Sequence, residues 1–329
     1  MERRLAVAAE SWPIKGAFRI ARGAKTQAQI VLATITERGV AGRGECVPYA
    51  RYGDSVDSVL VQIESIRVAV ENGLTREDLQ QRLPAGAARN ALDCALIDLE
   101  AKITGRPAFE LLGLPAPVPV RTAYTLSLDT PENMAQAAAD ATAQQYQLLK
   151  LKIAGAGDLA RVKAVRAAVP QARLIVDANE GWTPDDLANL TPALARLGVV
   201  LIEQPLKAEE DDALLGFHSP VPLCADESCH TGADLARIVG RYSHVNVKLD
   251  KAGGLTEAVA LVREARARGL GLMIGCMVAT SLAMAPASLL AGTAQFVDLD
   301  GPLLLARDRE PGMRYDRDLL HPPMPDLWG

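Results

Sequence analysis

From about residue 120 onward, the chain repeats one pattern of hydrophobic and polar positions. A short apolar run ends in polar or charged residues, and an amphipathic segment follows it. The eight runs end at Tyr124–Leu128, Lys152, Asp177, Glu203, Asp226, Lys248, Ile274 and Asp298, and from Lys152 onward these ends lie 22 to 26 residues apart. Apolar residues at three- and four-residue steps predict helices between them, for instance over residues 131–146, 159–169, 184–197, 233–241 and 255–268.

Eight strands alternating with about seven helices predict an α/β fold, a TIM-type (β/α)7β barrel with parallel strands. An open, doubly wound sheet of similar length is the alternative fold. The regular spacing of the strands and the lack of a glycine-rich phosphate loop disfavour that alternative.

The first third of the chain has a different pattern. Residues 4–10 and 29–35 predict two β-strands, and the loop between them carries a short basic stretch at 18–26. Helical periodicity follows over 55–73, 75–83 and 87–104, where Gly105 is placed to end the last helix. Three prolines within residues 113–120 predict a linker. We therefore expect an α+β domain over residues 1–116, the barrel over 117–305, and a C-terminal segment, 306–329, that packs back on the first domain.

Composition narrows the class of protein. The chain has 329 residues, of which 49% are hydrophobic and 23% charged, as in ordinary globular proteins. A net charge of -5 argues against a nucleic-acid or anionic-membrane partner. No apolar run approaches the roughly 18 residues that span a bilayer, and Glu10 interrupts the apolar start too early for a signal peptide. The five cysteines lack metal-type CxxC spacing, so we expect reduced thiols in a cytoplasmic protein.

Carboxylates stand at the ends of three consecutive predicted strands. Asp177, Glu203 and Asp226 each follow an apolar run directly. In a TIM barrel these ends meet at one face, where unpaired carboxylates would repel one another strongly. A divalent cation would resolve that repulsion, and an all-oxygen ligand set favours Mg²⁺ or Mn²⁺. Each acid taken singly could instead cap a helix or lie in a loop.

Lysines flank this predicted metal site. Lys150 and Lys152 lie one residue apart on a strand and so point to the same face. Because close ammonium groups in an apolar setting disfavour the charged form, we expect lowered pKa values for this pair. A solvated edge strand with alternate lysines is the simpler alternative. Lys248 ends a strand across the barrel from Lys152. A metal with a base on either side is suited to removing a proton α to a carboxylate and returning it to the other face.

At this point the chain resembles a known family. The motifs Lys150-Leu-Lys152, Asp177-Ala-Asn179, Glu203-Gln-Pro205, Ala225-Asp-Glu-Ser228 and Lys248-Leu-Asp-Lys-Ala-Gly-Gly254 are similar to those of the enolase superfamily, in its muconate-lactonizing subgroup. Asp298-Leu-Asp300 resembles the Asp-x-Asp motif of its dipeptide epimerases. The stretches at 86–95 and 225–231 are also similar to bacterial L-Ala-D/L-Glu epimerases. The resemblance covers essentially the whole chain, and it implies that the first domain caps the barrel.

The resemblance implies a role for each matching residue at the metal. Asp177, Glu203 and Asp226 would bind Mg²⁺, with Mn²⁺ as a substitute. Lys152 and Lys248 would be the two acid/base catalysts, and Lys150 would tune Lys152. Apart from the resemblance, we expect Asn179 to lie next to the metal ligands and Asp250 next to Lys248, each as a supporting partner.

The resemblance also implies how substrate is held. Asp298 and Asp300 would bind the free α-ammonium of an N-terminal residue such as alanine. Relatives specific for glutamate place an arginine in the loop over the barrel mouth. This chain has Lys25 there, which could pair with a γ-carboxylate without the bidentate fork of arginine. Arg22 is the competing candidate.

The expected function is therefore that of a Mg-dependent dipeptide epimerase. It would invert the α-carbon of the C-terminal residue of L-Ala-D/L-Glu type dipeptides by proton transfer between two lysines through a metal-stabilised enolate, as in murein peptide recycling. An o-succinylbenzoate synthase or a cycloisomerase is the alternative enzyme, and a non-enzymatic barrel scaffold is the alternative outside enzymes. Asp298 and Asp300 favour the epimerase, because a substrate without an ammonium group has no use for them. The expected partner is a small dipeptide; the sequence leaves open whether the protein forms a homo-oligomer.

Overall fold

The computed structural model describes residues 2–329. Its N-terminal part is a three-stranded antiparallel sheet covered by helices. The strands are β1 (Arg4–Ile20), β2 (Gly23–Glu37) and β3 (Val40–Cys46), and the helices are α1 (Val56–Ser65), α2 (Arg67–Glu71), α3 (Arg76–Arg82), α4 (Ala87–Thr104) and α5 (Ala108–Leu111). A Cβ on Gly44 would lie 2.1 Å from the Ala91 carbonyl oxygen. Glycine in β3 and alanine in α4 thus allow strand and helix to pack closely.

The first two strands are longer than the sequence pattern predicts. The expected loop around residues 18–26 is the tip of a β-hairpin, in which Phe18 pairs with Lys25 and Ile20 with Gly23. The register shifts between Pro13 and Phe18. This tip is largely exposed and lacks hydrophobic alternation. Hydrogen bonds between the two backbones hold these strands together. A prediction from hydrophobic periodicity considers side chains only and therefore misses them.

The larger part of the molecule is a parallel sheet of eight strands in sequential order. A short strand, β4 (Val120–Arg121), precedes it, and its strands are β5 (Tyr124–Leu126), β6 (Leu148–Lys152), β7 (Arg173–Asp177), β8 (Val199–Glu203), β9 (Leu223–Ala225), β10 (His244–Val247), β11 (Gly271–Gly275) and β12 (Phe296–Asp298). The Ala123 N–H donates to the Val297 carbonyl over 2.8 Å and brings the two edges together. The predicted α/β barrel is therefore confirmed.

Helices cover the outside of the barrel. They are α6 (Pro131–Ala143), α7 (Asp158–Ala168), α8 (Pro184–Arg196), α9 (Leu235–Ile238), α10 (Leu249–Ala252), α11 (Leu255–Ala267) and α12 (Ser281–Ala291), with a 3₁₀ segment at Ala208–Leu214 between β8 and β9. Thr130 and Thr183 cap α6 and α8, and each precedes a proline at the first helical position. The helix predicted over 233–241 is wrong in length: only one α-helical turn forms, because the backbone turns to an extended conformation at Val239.

The C-terminal residues pair first with β4, next to the barrel, and then return to the first domain. Strands β13 (Tyr315–Asp316) and β14 (Leu319–Leu320) form a small sheet with β4. Trp328 is buried, and its indole N–H donates to the Cys94 carbonyl of α4 over 3.2 Å. Arg43 of β3 donates to the Leu327 carbonyl over 2.7 Å. Within residues 2–329, no helix has the length and apolar character needed to cross a membrane.

Candidate active site

A cavity of about 980 Å³ lies between the capping domain and the carboxyl ends of the barrel strands. The β1–β2 hairpin and the segment after β3 form its roof, and the strand ends form its floor. Among the lining side chains are Lys150, Lys152, Asp226, Lys248, Asp298 and Asp300. The structure thus brings predicted site residues from β6, β9, β10 and β12 into one space.

The three predicted metal ligands stand where their strands end. Asp177 on β7 and Glu203 on β8 are paired in register, and Asp226 follows β9 directly. All three are almost completely inaccessible to solvent. Burial raises the pKa of Asp177, but Lys152 and Lys150 more than compensate and bring it to about 2. Burial and the nearby charge of Asp177 raise the pKa of Glu203.

Lysine ammonium groups lie among these carboxylates. Lys150 Nζ is 2.7 Å from Glu203 Oε2, 2.8 Å from Asp298 Oδ2 and 3.1 Å from Asp177 Oδ2. Lys152 Nζ donates to the same Asp177 oxygen over 2.6 Å. As the side chains are placed, no three His, Cys, Asp or Glu residues between 2 and 329 are grouped to hold a metal ion.

The oxygen donors nevertheless suit a hard divalent cation. Near Asp226, Glu227 Oε2 and Asn179 Oδ1 are buried without a hydrogen-bond partner. Burial, with the charges of Asp226 and Asp177, raises the pKa of Glu227 to about 7. Arg22 pairs with the other oxygen of Glu227, so Glu227 Oε2 and Asn179 Oδ1 are two buried oxygens left without a donor, and such oxygens are the ligands that a hard divalent cation takes. The donor chemistry therefore fits Mg²⁺.

The expectation of a lowered pKa is wrong for Lys150. Burial does lower it, but the carboxylates of Asp298, Glu203 and Asp177 outweigh burial, and the pKa of Lys150 is well above its ordinary value. The sequence shows the two neighbouring lysines, whereas the acids around them come from other strands.

Lys248 occupies the other side of the site. Its Nζ donates to Asp226 Oδ2 over 2.6 Å, and Lys251 donates to Asp226 Oδ1 over 2.7 Å. Burial lowers the pKa of Lys248, but Asp226 and Glu203 raise it overall. The strand order β6-β7-β8-β9-β10 places Lys152 and Lys248 four strands apart in a barrel of eight, and so on opposite sides of its mouth.

Asp298 and Asp300 lie beside Lys150. Asp298 ends β12, whereas Asp300 lies beyond the strand and begins a 3₁₀ turn. The Thr125 N–H donates to Asp300 Oδ2 over 2.6 Å. Burial and the charge of Asp298 raise the pKa of Asp300 to about 7. The two acids thus differ: Asp298 is paired with a lysine, and Asp300 is held by a backbone amide.

The hairpin tip carries the two candidates for contact with a substrate side chain. The Arg22 guanidinium donates to Glu227 over 2.7 Å, to the Asn179 carbonyl over 2.8 Å, and to Glu180 and Tyr49 over 3.0 Å each. Arg22 therefore fastens the hairpin to the barrel mouth.

Lys25 is exposed, lines the cavity, and has its Nζ 4.9 Å from the centre of the Tyr49 ring. Of the two cations, Arg22 is ion-paired with Glu180 and Glu227, whereas Lys25 forms no ion pair within residues 2–329.

Other residues of the site have no separate signal in the sequence. Glu227 and Lys251 lie within the quoted motifs, yet periodicity gives neither a role.

The two predicted supporting residues make different contacts. Asn179, at φ 45°, turns the chain after β7, and its N–H donates to Asp177 Oδ1 over 2.9 Å. Asp250 does not line the cavity; its Oδ1 accepts from the Val47 N–H and from the Asn90 side chain of the capping domain, over 2.9 Å each.

Comparisons with known proteins cover nearly the whole chain. The family described as "Mandelate racemase / muconate lactonizing enzyme, N-terminal domain" matches residues 2–113, and "Enolase C-terminal domain-like" matches residues 133–323. An L-Ala-D/L-Glu epimerase of Escherichia coli is 49% identical over 319 residues, which are 97% of this chain and 99% of that protein. An N-acetyl-D-glutamate racemase of a Pseudoalteromonas species is 46% identical, over 91% of this chain and 95% of that protein.

Solved structures agree with these relatives. An enolase family member from Agrobacterium tumefaciens, with bound sodium and L-Ala-L-Glu, superposes with a TM-score of 0.97 at 49% identity and covers 99% of this chain and 100% of its own. A dipeptide epimerase from Enterococcus faecalis, complexed with Mg and L-Leu-L-Tyr, gives a TM-score of 0.91 at 31% identity over 98% of both chains.

Proposed function

Because this chain belongs to the enolase superfamily, as an epimerase of its mandelate racemase and muconate lactonizing group, we propose that it is a Mg²⁺-dependent epimerase of L-Ala-D/L-Glu type dipeptides. The observation that carries this proposal is the placement of Lys152 and Lys248. They are two buried amines on opposite sides of one cavity, and each is hydrogen-bonded to a different carboxylate.

The proposed metal ligands are Asp177, Glu203 and Asp226, with Asn179 and Glu227 beside them. When bound there, the ion would offset the negative charge that develops on the substrate carboxylate as its α-proton leaves. Support for Mg²⁺ comes from the oxygen donors of this site and from the Mg-containing complex of the E. faecalis relative.

The proton steps fall to the lysines. One lysine, as the neutral amine, takes the α-proton from one face of the carbon, and the other, as the ammonium, donates a proton to the opposite face. The lysine that began as the neutral amine is then an ammonium, and the other lysine is a neutral amine. The pair is therefore in the protonation state that the reverse reaction needs. Inversion therefore needs both Lys152 and Lys248.

The remaining charges select the substrate. Asp298 and Asp300 are proposed to bind the α-ammonium of the N-terminal residue, next to Lys150. Lys25 is proposed to pair with the γ-carboxylate of glutamate, since Arg22 is engaged by Glu227 and Glu180. The E. coli epimerase and the L-Ala-L-Glu complex of the A. tumefaciens protein support this choice of dipeptide. Recycling of murein peptides in the cytoplasm is the proposed setting.

A second candidate is racemisation of an N-acylated glutamate. Asp298 already has a cationic partner in Lys150, and Asp300, with its pKa near 7, can hold a proton. Such a pair could face a neutral acyl group instead of an ammonium. The N-acetyl-D-glutamate racemase among the relatives supports this candidate. A synthase or cycloisomerase gains no comparable support from these residues.

The test is incubation of the purified protein and MgCl₂ with L-Ala-L-Glu in D₂O. We expect α-deuterium at the glutamate and formation of L-Ala-D-Glu, with slower or no racemisation of N-acetyl-L-glutamate. Faster turnover of the N-acetyl compound would favour the second candidate. No exchange with either compound, nor across a panel of L,L- and L,D-dipeptides, would overturn the proposed function.

A further inference from the structure

We propose that Arg89 and Asn90, on helix α4 of the capping domain, are positioning residues that hold the chain carrying Lys248 in place for proton transfer. The proposal rests on the function proposed above, because it concerns the second of the two proton carriers. Its ground is a set of buried polar contacts between α4 and residues 250–256, none of which touches the cavity floor.

Lys248 lies between the end of strand β10 and a very short helix. It is the N-cap of α10, a single turn of four residues. A turn of this length has no stability of its own in water, so its geometry must come from tertiary contacts. Lys251, on the same turn, is fully buried and donates to Asp226 and, over 2.9 Å, to the Asn246 carbonyl. These contacts hold α10 from the barrel side only.

The capping domain holds α10 from the other side. Arg89 donates from Nε to the Gly253 carbonyl over 3.0 Å and from a terminal nitrogen to the Ala252 carbonyl over 2.6 Å. These carbonyls end the helical turn, where a cation is favoured and a bidentate donor fixes orientation. Asn90 donates to Asp250 Oδ1 over 2.9 Å, and the Val47 N–H binds the same oxygen.

The backbone after α10 is shaped for this contact. Gly253 has φ 79° and Gly254 φ 114°, a region that favours glycine. A Cβ on Gly254 would lie 2.5 Å from the side chain of Asp93, and one on Gly253 would lie 2.5 Å from Arg89. Asp93 accepts from the Thr256 N–H at the start of α11 over 2.9 Å. Side chains of α4 therefore meet the bare backbone of this segment directly.

Burial shows that these contacts are specific. Arg89, Asn90 and Asp93 are 6%, 2% and 0% exposed. Apolar side chains could join two domains at lower desolvation cost, whereas buried polar groups must find partners in one geometry. That geometry fixes α10, and with it the backbone of Lys248 on the side that β10 does not hold. Misplacement of a reacting group by about 1 Å can cost around 100-fold in rate.

The test separates the two proton carriers by isotope exchange. When Lys248 is misplaced, Lys152 can still take the α-proton of one diastereomer, exchange it with D₂O and return a deuteron to the same face. The Lys248→Ala variant shows which diastereomer this is, because only the dipeptide whose α-proton faces Lys152 should exchange with D₂O in that variant. In Asn90→Ala we expect inversion to fall about 10- to 100-fold, while deuterium exchange into that diastereomer falls much less. The ratio of inversion to exchange is the readout.

Leu99→Ala is the matched control. Leu99 lies on the same helix and is 2% exposed, but it packs within the capping domain. Its replacement should cost stability and leave the ratio at the wild-type value. An Asn90→Ala ratio equal to that of wild type, with both rates reduced together, would overturn the positioning role. If Asn90→Ala fails to fold, the second variant is Arg89→Lys, which keeps the positive charge but loses the bidentate contact. Its ratio of inversion to exchange should fall below that of wild type for the same reason.

A wild-type protein that exchanges no α-proton would instead contradict the proposed function itself. The two failures are therefore distinguishable.

Discussion

Replacing Lys150 by methionine removes a positive charge that three buried carboxylates share. Lys150 is 1% exposed, and its Nζ lies 2.7 to 3.1 Å from Glu203, Asp298 and Asp177. Methionine keeps the unbranched apolar stem of the side chain and is shorter by one heavy atom. The substitution therefore tests the charge and leaves the packing largely intact.

The expected loss of stability follows from these distances. At an effective dielectric of about 20, each ion pair at ~3 Å contributes roughly 5–6 kcal/mol before the cost of burying the charges. Removing one partner of a buried pair costs about 3–5 kcal/mol in practice. For domains of roughly 150–250 residues, 1 kcal/mol shifts the Tm by about 2–4 °C, so we expect a Tm lower by about 10 °C.

Thermal unfolding followed by circular dichroism, in chelator-treated buffer, is the measurement. Lys163→Met, at an exposed lysine of α7, is the control and should stay within about 0.5 kcal/mol of wild type. Added MgCl₂ should stabilise Lys150→Met more than wild type, because a cation at Asp177 and Glu203 would restore positive charge. An unchanged Tm of Lys150→Met without metal would refute the reasoning.

Three further predictions concern other charges. Lys152→Ala should abolish epimerisation in both directions with an unchanged circular dichroism spectrum; chiral chromatography that still shows inversion would exclude Lys152 as a proton carrier. Lys25→Ala should raise KM for L-Ala-L-Glu about 10-fold relative to L-Ala-L-Ala, as expected for loss of a charged hydrogen bond, with Lys25→Arg as the control; equal changes for both dipeptides would argue against contact with the γ-carboxylate. Burial raises the pKa of Asp93 from 3.8 to about 6. The folded state therefore holds the Asp93 proton more tightly than the unfolded state does. The free energy of unfolding that this difference contributes is complete below pH 3.8 and declines as the pH rises to 6, by about 3 kcal/mol in all. Urea unfolding of Asp93→Asn should therefore lack this decline, and an unaltered slope between pH 4 and 6 would contradict it.

The sequence by itself determined the barrel and the order of its chemical groups. Hydrophobic periodicity is a local property, and parallel strands joined by helices bring all their carboxyl ends to one face. The placement of Asp177, Glu203 and Asp226 at successive strand ends could therefore be predicted without coordinates. The hairpin tip could not, because its strands are held by backbone pairing between polar, exposed residues.

Only the tertiary structure decided how those groups interact. Sequence proximity suggested that Lys150 and Lys152 would lower each other's pKa, yet acids from β7, β8 and β12 surround Lys150 and raise its pKa. Likewise the sequence leaves Arg22 as a competitor of Lys25, and the structure shows that Arg22 is bound by Glu227, 205 residues away. Asn90 meets Asp250 across 160 residues. Electrostatic and hydrogen-bond energies depend on distances in space, and the local pattern of a sequence does not encode these distances.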